Sequence, residues 1–169
     1  MNSFAKRCAV VAVLAVATML PKFQTLKTSS DGLALIANAE GCRTSPYQCS
    51  AGVWTNGIGH TLGVTAASQV SERQAAVNLI DDVIRVERGI AQCMPVTMPQ
   101  RVYDTTVSFG FNVGVRAVCQ STFARHINAL HWRAACNELR RWVYVDGKIN
   151  RGLQNRRANE TAYCLKGLQ

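Results

Sequence analysis

The chain has 169 residues, of which 48% are hydrophobic and 17% charged, and its 19 Lys and Arg against 10 Asp and Glu give a formal net charge of +9. This composition predicts one globular domain with its own apolar core and excludes a disordered polybasic tail. Because 14 of the 19 cations are Arg, the surface suits anionic partners such as nucleic acid, anionic lipid or an acidic polymer. Charge alone does not choose among them.

The cysteine content points to an oxidising compartment. The chain contains seven cysteines, and none of them shows the CxxC spacing that is typical of metal-binding or redox motifs in cytosolic proteins. The odd number leaves one cysteine outside any set of pairs. With no ligand spacing and no cofactor motif, we predict neither a metal site nor a cofactor.

The N-terminal segment has the features of an export signal. Lys6 and Arg7 precede an uncharged run, Cys8–Leu20, which Pro21 ends. The run is shorter than the ~18 to 20 residues that span a bilayer comfortably. Two outcomes stay open: cleavage at the small-residue pattern of residues 15–17, or an uncleaved anchor whose Ala and Val side chains could leave the membrane. We therefore predict an export or anchor segment with its connector over residues 1–27 and a folded domain over 28–169.

The first elements of the predicted domain are a helix and a small sheet. Ser30 or Asp31 can cap a helix that ends at Glu40, because Gly41 favours the left-handed conformation that stops a helix. Glycines then punctuate short β-favouring stretches between residues 46 and 64, with a turn expected at Asn56-Gly57.

The rest of the chain is predicted to be helical. Ser71 to Gln74 form a capping box, and apolar residues at helical spacing follow it through one long helix over residues 72–92. Four helices of ordinary length are expected after Pro95 and Pro99: Val102–Phe111, Ser121–Leu130, Ala134–Trp142 and Leu153–Leu165. The predicted fold class is α+β, with a small antiparallel β lobe and a larger helical lobe joined by the long helix, and a cleft where the lobes meet.

Glu40 is the first candidate for chemistry. It lies at the C-terminal end of its helix, where the macrodipole disfavours a carboxylate, so it would suit a general acid. The alternative is an ordinary solvated glutamate at a helix end.

A long motif decides between these alternatives. Glu40 begins the run EGCRTSPYQCSAGVWTNGIGHT, which ends at Thr61. This run resembles the catalytic motif of the phage lysozyme family, glycoside hydrolase family 24. The resemblance covers residues 30 to 165, and its later matches are Ser121-Thr122, Asn128, Arg141-Trp142 and the run from Gly152 to Glu160.

The resemblance implies a lysozyme-like fold and a muramidase. In the family, the motif starts with a catalytic glutamate, which Glu40 matches, and a threonine fifteen residues later, which Thr55 matches. The family's aspartate position, nine residues after the glutamate, holds Cys49. The glutamic acid would protonate the glycosidic oxygen, while the threonine and the second group hold water on the opposite face of the sugar. Cys49 departs from the pattern and could take that second role as a thiolate.

A second implication concerns control of activity. The chain resembles the signal-anchor-release endolysins, some of which are kept inactive by a disulfide that captures a catalytic cysteine until a cysteine from the released anchor exchanges into it. Here the three cysteines would be Cys8, Cys42 and Cys49. The alternative is a plain structural Cys42–Cys49 disulfide, with Cys8 removed or left in lipid.

The remaining four cysteines are predicted to stabilise the helical lobe. Three pairings are possible for four cysteines. We expect Cys119–Cys136 and Cys93–Cys164, each worth about 2 to 4 kcal/mol through restriction of the unfolded chain.

Three other functions remain as alternatives. His60 could serve as base for a nucleophilic Cys49 in a peptidase or amidase, although Cys49 lies in a β stretch and not at an activating helix N-terminus. A lytic transglycosylase also needs a single acidic glutamate. Lys148, Arg151 and the neighbouring arginines could form a nucleic-acid patch, but no DNA- or RNA-binding motif accompanies them.

The sequence therefore predicts a monomeric lysozyme that cleaves the β-1,4 bond between N-acetylmuramic acid and N-acetylglucosamine and lyses the host cell. Its expected partners are peptidoglycan, the host secretion machinery and the inner membrane, and no nucleic acid. Its expected location is the periplasmic side of that membrane, followed by release into the periplasm. His126, His131 and the tryptophans are predicted to be packing or surface residues, with Trp142 in the core.

Overall fold

A computed structural model describes residues 7–49 and 52–168. The chain divides into two compact units, Met1–Ile84 and Arg85–Gln169. They are called the N-terminal unit and the C-terminal unit below. Over the described residues, no helix combines the length and apolarity that crossing a membrane requires.

The N-terminal unit combines two helices, one β-hairpin and the first half of a long helix. Its elements are α1 (Val10–Met19), a 3₁₀ turn (Pro21–Thr25), α2 (Ser30–Glu40), β1 (Arg43–Gln48), β2 (Trp54–Gly57) and the start of α3 (Glu72–Cys93). β1 and β2 are antiparallel, with Tyr47 opposite Thr55. The apolar side chains Leu33, Ile36, Ile80 and Val83 are fully buried at the centre of this unit.

The predicted export segment forms part of this folded unit. Val13 and Ala17 of α1 are fully buried, four residues apart and therefore on one side of the helix. The Ala9 N–H donates a hydrogen bond to Glu72 Oε1 at 3.0 Å, and Lys22 Nζ lies 2.9 Å from Asp81 Oδ1. The segment is thus attached by apolar packing at its centre and by carboxylates of α3 near both ends.

The C-terminal unit contains the end of α3, five more helices and a second hairpin. The elements are α4 (Gln100–Val113), α5 (Val115–Cys119), α6 (Thr122–Asn128), α7 (Trp132–Glu138), a 3₁₀ turn (Leu139–Arg141), β3 (Tyr144–Val145), β4 (Lys148–Ile149) and α8 (Arg151–Lys166). An aromatic cluster centres on Phe109, whose ring meets Phe123 at 5.2 Å and Trp142 at 5.0 Å, both edge to face. Trp142 therefore packs against the core of this unit, as predicted.

A charged cluster is buried between α4 and α8. Glu160 Oε1 accepts hydrogen bonds from Ser108 Oγ at 2.7 Å and Arg156 Nε at 3.1 Å, and Glu160 Oε2 lies 2.9 Å from Arg157 Nη1. Arg157 also donates to Asn112 Oδ1. Arg157 and Glu160 are fully buried, so the pair compensates two charges that would be costly to bury singly.

The α+β prediction and the order of its elements are confirmed, with changes at several boundaries. The cap of α2 is Ser29, which accepts from the Gly32 N–H, instead of Ser30 or Asp31. The β1–β2 hairpin starts at Arg43. The turn that follows β2 lies at Ile58-Gly59, beyond the expected Asn56-Gly57. The sequence analysis missed α5 and the β3–β4 hairpin.

The predicted pairing of the last four cysteines is wrong. The structure joins Cys93 to Cys119 and Cys136 to Cys164. α5, which was not predicted, ends at Cys119 and brings it to the end of α3, while α7 and α8 pack together and align Cys136 with Cys164. Both disulfides lie within the C-terminal unit.

Candidate active site

Glu40 is fixed by the end of α2 and by the turn that follows β2. The N–H of Gly41 donates to the Ala37 carbonyl at 2.9 Å, and the Gly41 φ of 71° ends the helix directly after Glu40. Gly59 approaches the carboxyl group so closely that a Cβ built at this position would lie 3.1 Å from Glu40 Oε2. Because Gly59 also has a φ of 70°, both its conformation and this contact favour glycine.

Cys49 and Thr55 are held together at the far end of the hairpin. The carbonyl oxygen of Val53 accepts from the Cys49 N–H at 3.0 Å and from Thr55 Oγ1 at 3.1 Å. Thr55 is buried, with 3% of its surface exposed, whereas Cys49 is partly exposed. One carbonyl therefore positions two of the three predicted catalytic residues.

Tyr47 links Glu40 to Cys49 electrostatically. Burial raises the pKa of the Tyr47 hydroxyl above its ordinary value, and the nearby negative charge of Glu40 raises it further, followed by a smaller effect of Cys49. The Arg43 guanidinium acts in the opposite direction and lies 4.3 Å above the centre of the tyrosine ring. Tyr47 therefore stays a neutral phenol that can donate a hydrogen bond beside the two candidate groups.

His60 forms a partly buried polar contact with a residue of α3. Its Nδ1 lies 2.8 Å from Asp82 Oδ2, and both side chains are only 12% exposed. The backbone of His60 exchanges two hydrogen bonds of 3.0 Å with Asn56. These contacts attach the turn that carries Gly59 to α3.

The cysteines of the N-terminal unit are arranged in one of the ways the sequence left open. Cys8 is bonded to Cys42, with a Cα–Cα distance of 5.1 Å, and the Cys8 N–H also donates to the Cys42 carbonyl at 3.3 Å. Arg7 pairs with Arg43 of β1 in an antiparallel bridge. Within the described residues, Cys49 takes part in no disulfide. The alternative of a Cys42–Cys49 staple is therefore not the arrangement in this structure.

The structure thus holds Cys49 and Thr55 on one carbonyl, places Tyr47 within electrostatic range of Glu40 and Cys49, and joins Cys8 to Cys42, two residues after Glu40. Sequence reasoning missed Tyr47 and Asp82. Tyr47 sits at a strand position and in the middle of the motif, so its spacing from Glu40 and Cys49 was available as a signal. Asp82 had no such signal, because the contact with His60 spans 22 residues. Nor do the described residues contain a cluster of His, Cys, Asp or Glu that could hold a metal ion.

A carboxyl group at a helix end, facing a glycine turn and a short hairpin, agrees with the family that the chain matches. The model of the phage lysozyme family matches residues 37–160, which include the whole candidate site. The chain belongs to the phage lysozyme family.

Particular members are similar over nearly the whole chain. The SAR-endolysin of Escherichia phage P1 is 34% identical over 172 residues, which cover 95% of this chain and 93% of the relative. The crystal structure of the active form of P1 phage endolysin Lyz superposes with a TM-score of 0.86 at 32% identity, covering 96% of this chain and 97% of that one. The secreted inactive form of the same endolysin gives a TM-score of 0.60 at 34% identity, covering 84% and 97%.

Proposed function

We propose that this chain is an endolysin that hydrolyses the β-1,4 bonds between N-acetylmuramic acid and N-acetylglucosamine in bacterial peptidoglycan and so lyses the host cell. The observation that carries this proposal is the position of Glu40 at the end of α2, in contact range of Gly59, within a region that matches the phage lysozyme family. The proposed enzyme class is lysozyme, a glycoside hydrolase.

In the proposed mechanism, Glu40 acts as the general acid. Its carboxyl proton passes to the glycosidic oxygen as the bond to the anomeric carbon breaks, and the positive charge that develops is of the oxocarbenium type. A water on the opposite face of the sugar attacks the anomeric carbon, and the configuration is inverted. Thr55 would orient this water.

Cys49 is proposed as the second catalytic group. As a thiolate it would accept the proton of the attacking water or stabilise the developing positive charge; as a neutral thiol it would contribute little. The neutral Tyr47 hydroxyl, which senses the charges of both Glu40 and Cys49, is suited to donate a hydrogen bond to such a thiolate. This position of Tyr47 supports the proposal that Glu40 and Cys49 act in one active site.

Glu40→Gln tests the acid assignment, because it removes the proton while preserving the volume of the side chain. Turnover of purified peptidoglycan should fall by about 10³-fold or more, with an unchanged circular dichroism spectrum and unfolding midpoint. The matched control is Glu72→Gln, a carboxylate on the same unit that is not part of the candidate site. A Glu40 variant that keeps wild-type turnover would refute the assignment.

The fragments released by the wild-type enzyme separate the alternative reactions. Reducing muramic acid ends, identified by mass spectrometry, support hydrolysis, whereas 1,6-anhydro ends identify a lytic transglycosylase. Newly exposed peptide amines would assign the chemistry to Cys49 and His60 as a peptidase or amidase.

We also propose that the enzyme is kept inactive at the membrane by a disulfide that includes Cys49. In the release step, the Cys8 thiolate attacks Sγ of Cys42 in a Cys42–Cys49 disulfide. The Cys8–Cys42 bond forms, and Cys49 departs as a thiolate, so no external oxidant or reductant is consumed. The Cys8–Cys42 bond of the structure, together with a higher TM-score to the active than to the inactive P1 form, supports this exchange.

Cys8→Ser tests the exchange. The variant should be exported and folded but inactive, and a reductant such as dithiothreitol should restore its activity by freeing Cys49. Cys136→Ser is the matched control, since it removes a cysteine of the C-terminal unit and should leave the timing of activation unchanged. Lysis by the Cys8 variant on the normal schedule would overturn the lock.

The proposed localisation of the protein follows from this inactivating disulfide. The N-terminal segment, residues 1–27, would direct export through the host secretion machinery and hold residues 28–169 on the periplasmic face of the inner membrane. Release of the segment into the periplasm would then activate a monomeric enzyme. The burial of Val13 and Ala17 in the N-terminal unit supports a segment that also has a place in the soluble fold.

A further inference from the structure

The net charge of the chain is concentrated in one of its two units. Residues 1–84 contain six Lys and Arg against five Asp and Glu, a net charge of +1, whereas residues 85–169 contain thirteen against five, a net charge of +8. Three of those five acidic residues, Glu87, Asp104 and Glu160, are buried, but only two of the thirteen cations, Arg156 and Arg157. The outer surface of the C-terminal unit is therefore strongly positive and suits an anionic partner.

The β3–β4 hairpin adds exposed apolar side chains to this positive surface. Its strands are joined through Asp146 and Gly147, with φ angles of 49° and 73°, the left-handed pair of a type I′ turn. Tyr144 and Ile149 face each other across the strands and are 59% and 57% exposed, and Val145 is 42% exposed. A hairpin that gains so little burial for its apolar residues is unusual on a soluble surface.

Cations surround this apolar hairpin. Lys148 lies within β4, Arg151 begins α8, and Arg140 and Arg141 precede β3, and all four are exposed. The base of the hairpin is anchored by the buried Val143, whose carbonyl accepts from the Asn150 N–H at 2.8 Å. A fixed base therefore presents exposed apolar strand residues among exposed cations, with one acidic residue, Asp146, at the turn.

We infer that the β3–β4 hairpin docks the enzyme on an anionic phospholipid surface, with the face of Tyr144 and Ile149 at the headgroup boundary and the surrounding cations on lipid phosphates. Tyrosine is favoured at membrane interfaces, and basic residues close to the surface attract anionic lipids. This docking is separate from the candidate active site.

The apolar residues distinguish a lipid surface from an acidic polymer. Lysine and arginine alone would serve either partner, and a tyrosine ring can stack on sugars. The aliphatic side chains of Ile149 and Val145, in contrast, stabilise binding only where they leave water for an apolar medium. A hydrated glycan strand offers no such medium, whereas the boundary of a bilayer does.

Vesicle binding by the full chain tests this surface. Co-sedimentation is measured with vesicles of phosphatidylethanolamine and phosphatidylglycerol, and with neutral phosphatidylcholine vesicles. The variant Tyr144→Ser/Ile149→Ser should bind anionic vesicles at least about tenfold more weakly than the wild type. The matched control is Leu62→Ser/Leu130→Ser, which removes exposed side chains (67% and 56%) outside both the hairpin and the N-terminal segment and should change binding by less than about twofold.

A second pair of variants tests the charges. Lys148→Gln/Arg151→Gln should weaken binding to anionic vesicles more than Arg133→Gln/Lys166→Gln, which removes the same charge elsewhere in the C-terminal unit, and added salt should reduce this difference. Binding to neutral vesicles should be weak throughout. Turnover of soluble peptidoglycan fragments should stay the same in all variants. Vesicle binding is measured without any turnover, so it would test the docking surface even if the chain had no muramidase activity.

Three results would overturn the lipid surface. One is equal vesicle binding by the hairpin variant and the wild type. Another is loss of binding in the Leu62 and Leu130 variant alone, which would place the interaction outside the hairpin. The third is a hairpin variant that binds vesicles as the wild type does but no longer binds isolated peptidoglycan sacculi, which would make peptidoglycan the partner of the hairpin.

Discussion

The two units hold their enclosed carboxylates in different ways. In the N-terminal unit, His60 meets Asp82 at 2.8 Å with 12% of each side chain exposed. In the C-terminal unit, Glu160 serves two arginines, Arg156 and Arg157, with at most 7% of any of these side chains exposed. A histidine that loses its partner can release its proton and become neutral, whereas an arginine stays charged.

This difference affects how easily each unit can open locally around its carboxylate. A pair whose basic member can be neutral limits the free-energy cost of opening it, which suits a unit whose cysteines and N-terminal segment are proposed to change partners. Opening the arginine cluster costs more free energy, and the two disulfides of the C-terminal unit add to that cost. The comparison predicts that removing the acid costs more stability in the C-terminal unit than in the N-terminal unit.

Glu160→Gln should give the largest effect. It leaves Arg156 and Arg157 buried without their compensating charge, and we expect a loss of about 3 to 5 kcal/mol in unfolding free energy, measured by urea denaturation. Glu138→Gln is the control, because Glu138 pairs with an arginine that is 75% exposed and should cost less than about 1 kcal/mol. Equal losses in the two variants would contradict a special role for the buried cluster.

Asp82→Asn should have an intermediate effect, about 1 to 3 kcal/mol, because His60 can become neutral and keep one hydrogen bond. The neighbouring Asp81→Asn is a close control. Its partner Lys22 is 62% exposed, so the expected cost is below about 1 kcal/mol. Should Asp82→Asn cost as much as Glu160→Gln, the difference between the two units would disappear.

Tyr103→Phe should show the smallest effect: loss of the hydroxyl hydrogen bond to Glu87 should cost about 0.5 to 1.5 kcal/mol at neutral pH, and the effect should change only at alkaline pH. Burial, followed by the charge of Glu87 and the hydrogen bond to it, raises the pKa of the Tyr103 hydroxyl well above its ordinary value. Above about pH 10, the unfolded chain therefore releases a proton that the folded chain retains, and stability falls as the pH rises.

The variant lacks this loss. Its unfolding free energy relative to the wild type should be constant between about pH 7 and pH 9 and should shift in favour of the variant above about pH 10. Urea denaturation at each pH measures the difference. Parallel curves for both proteins up to about pH 11 would mean that the Tyr103 hydroxyl ionises equally in the folded and unfolded chains.

Much of the fold was predictable where the signal is local. The end of α2 at Glu40 follows from Gly41, and α3 follows from a capping box and a long apolar stripe. The β3–β4 hairpin was also predictable, because Asp146-Gly147 between β-favouring residues is a strong hairpin signal. The disulfides were not, since spacing does not tell which helix ends meet.

The candidate site shows the same limit. Glu40, Cys49 and Thr55 were available from the motif and its spacing, and Tyr47 lay within that motif. The contact of His60 with Asp82 was inaccessible, since it depends on how the turn after β2 packs against α3. The position of Gly59 near the Glu40 carboxyl group likewise needs the folded backbone.

The buried side of α1 has a consequence for how this protein can vary. Val13 and Ala17 are fully enclosed in the N-terminal unit, yet the same run carries the apolar character of the proposed membrane segment. A larger side chain at Ala17 would improve insertion into lipid but would not fit the folded unit, and a polar one at either position would fail in both settings. At these two positions the side chain must therefore suit both the lipid and the enclosed interior of the folded unit, and only small apolar residues satisfy both.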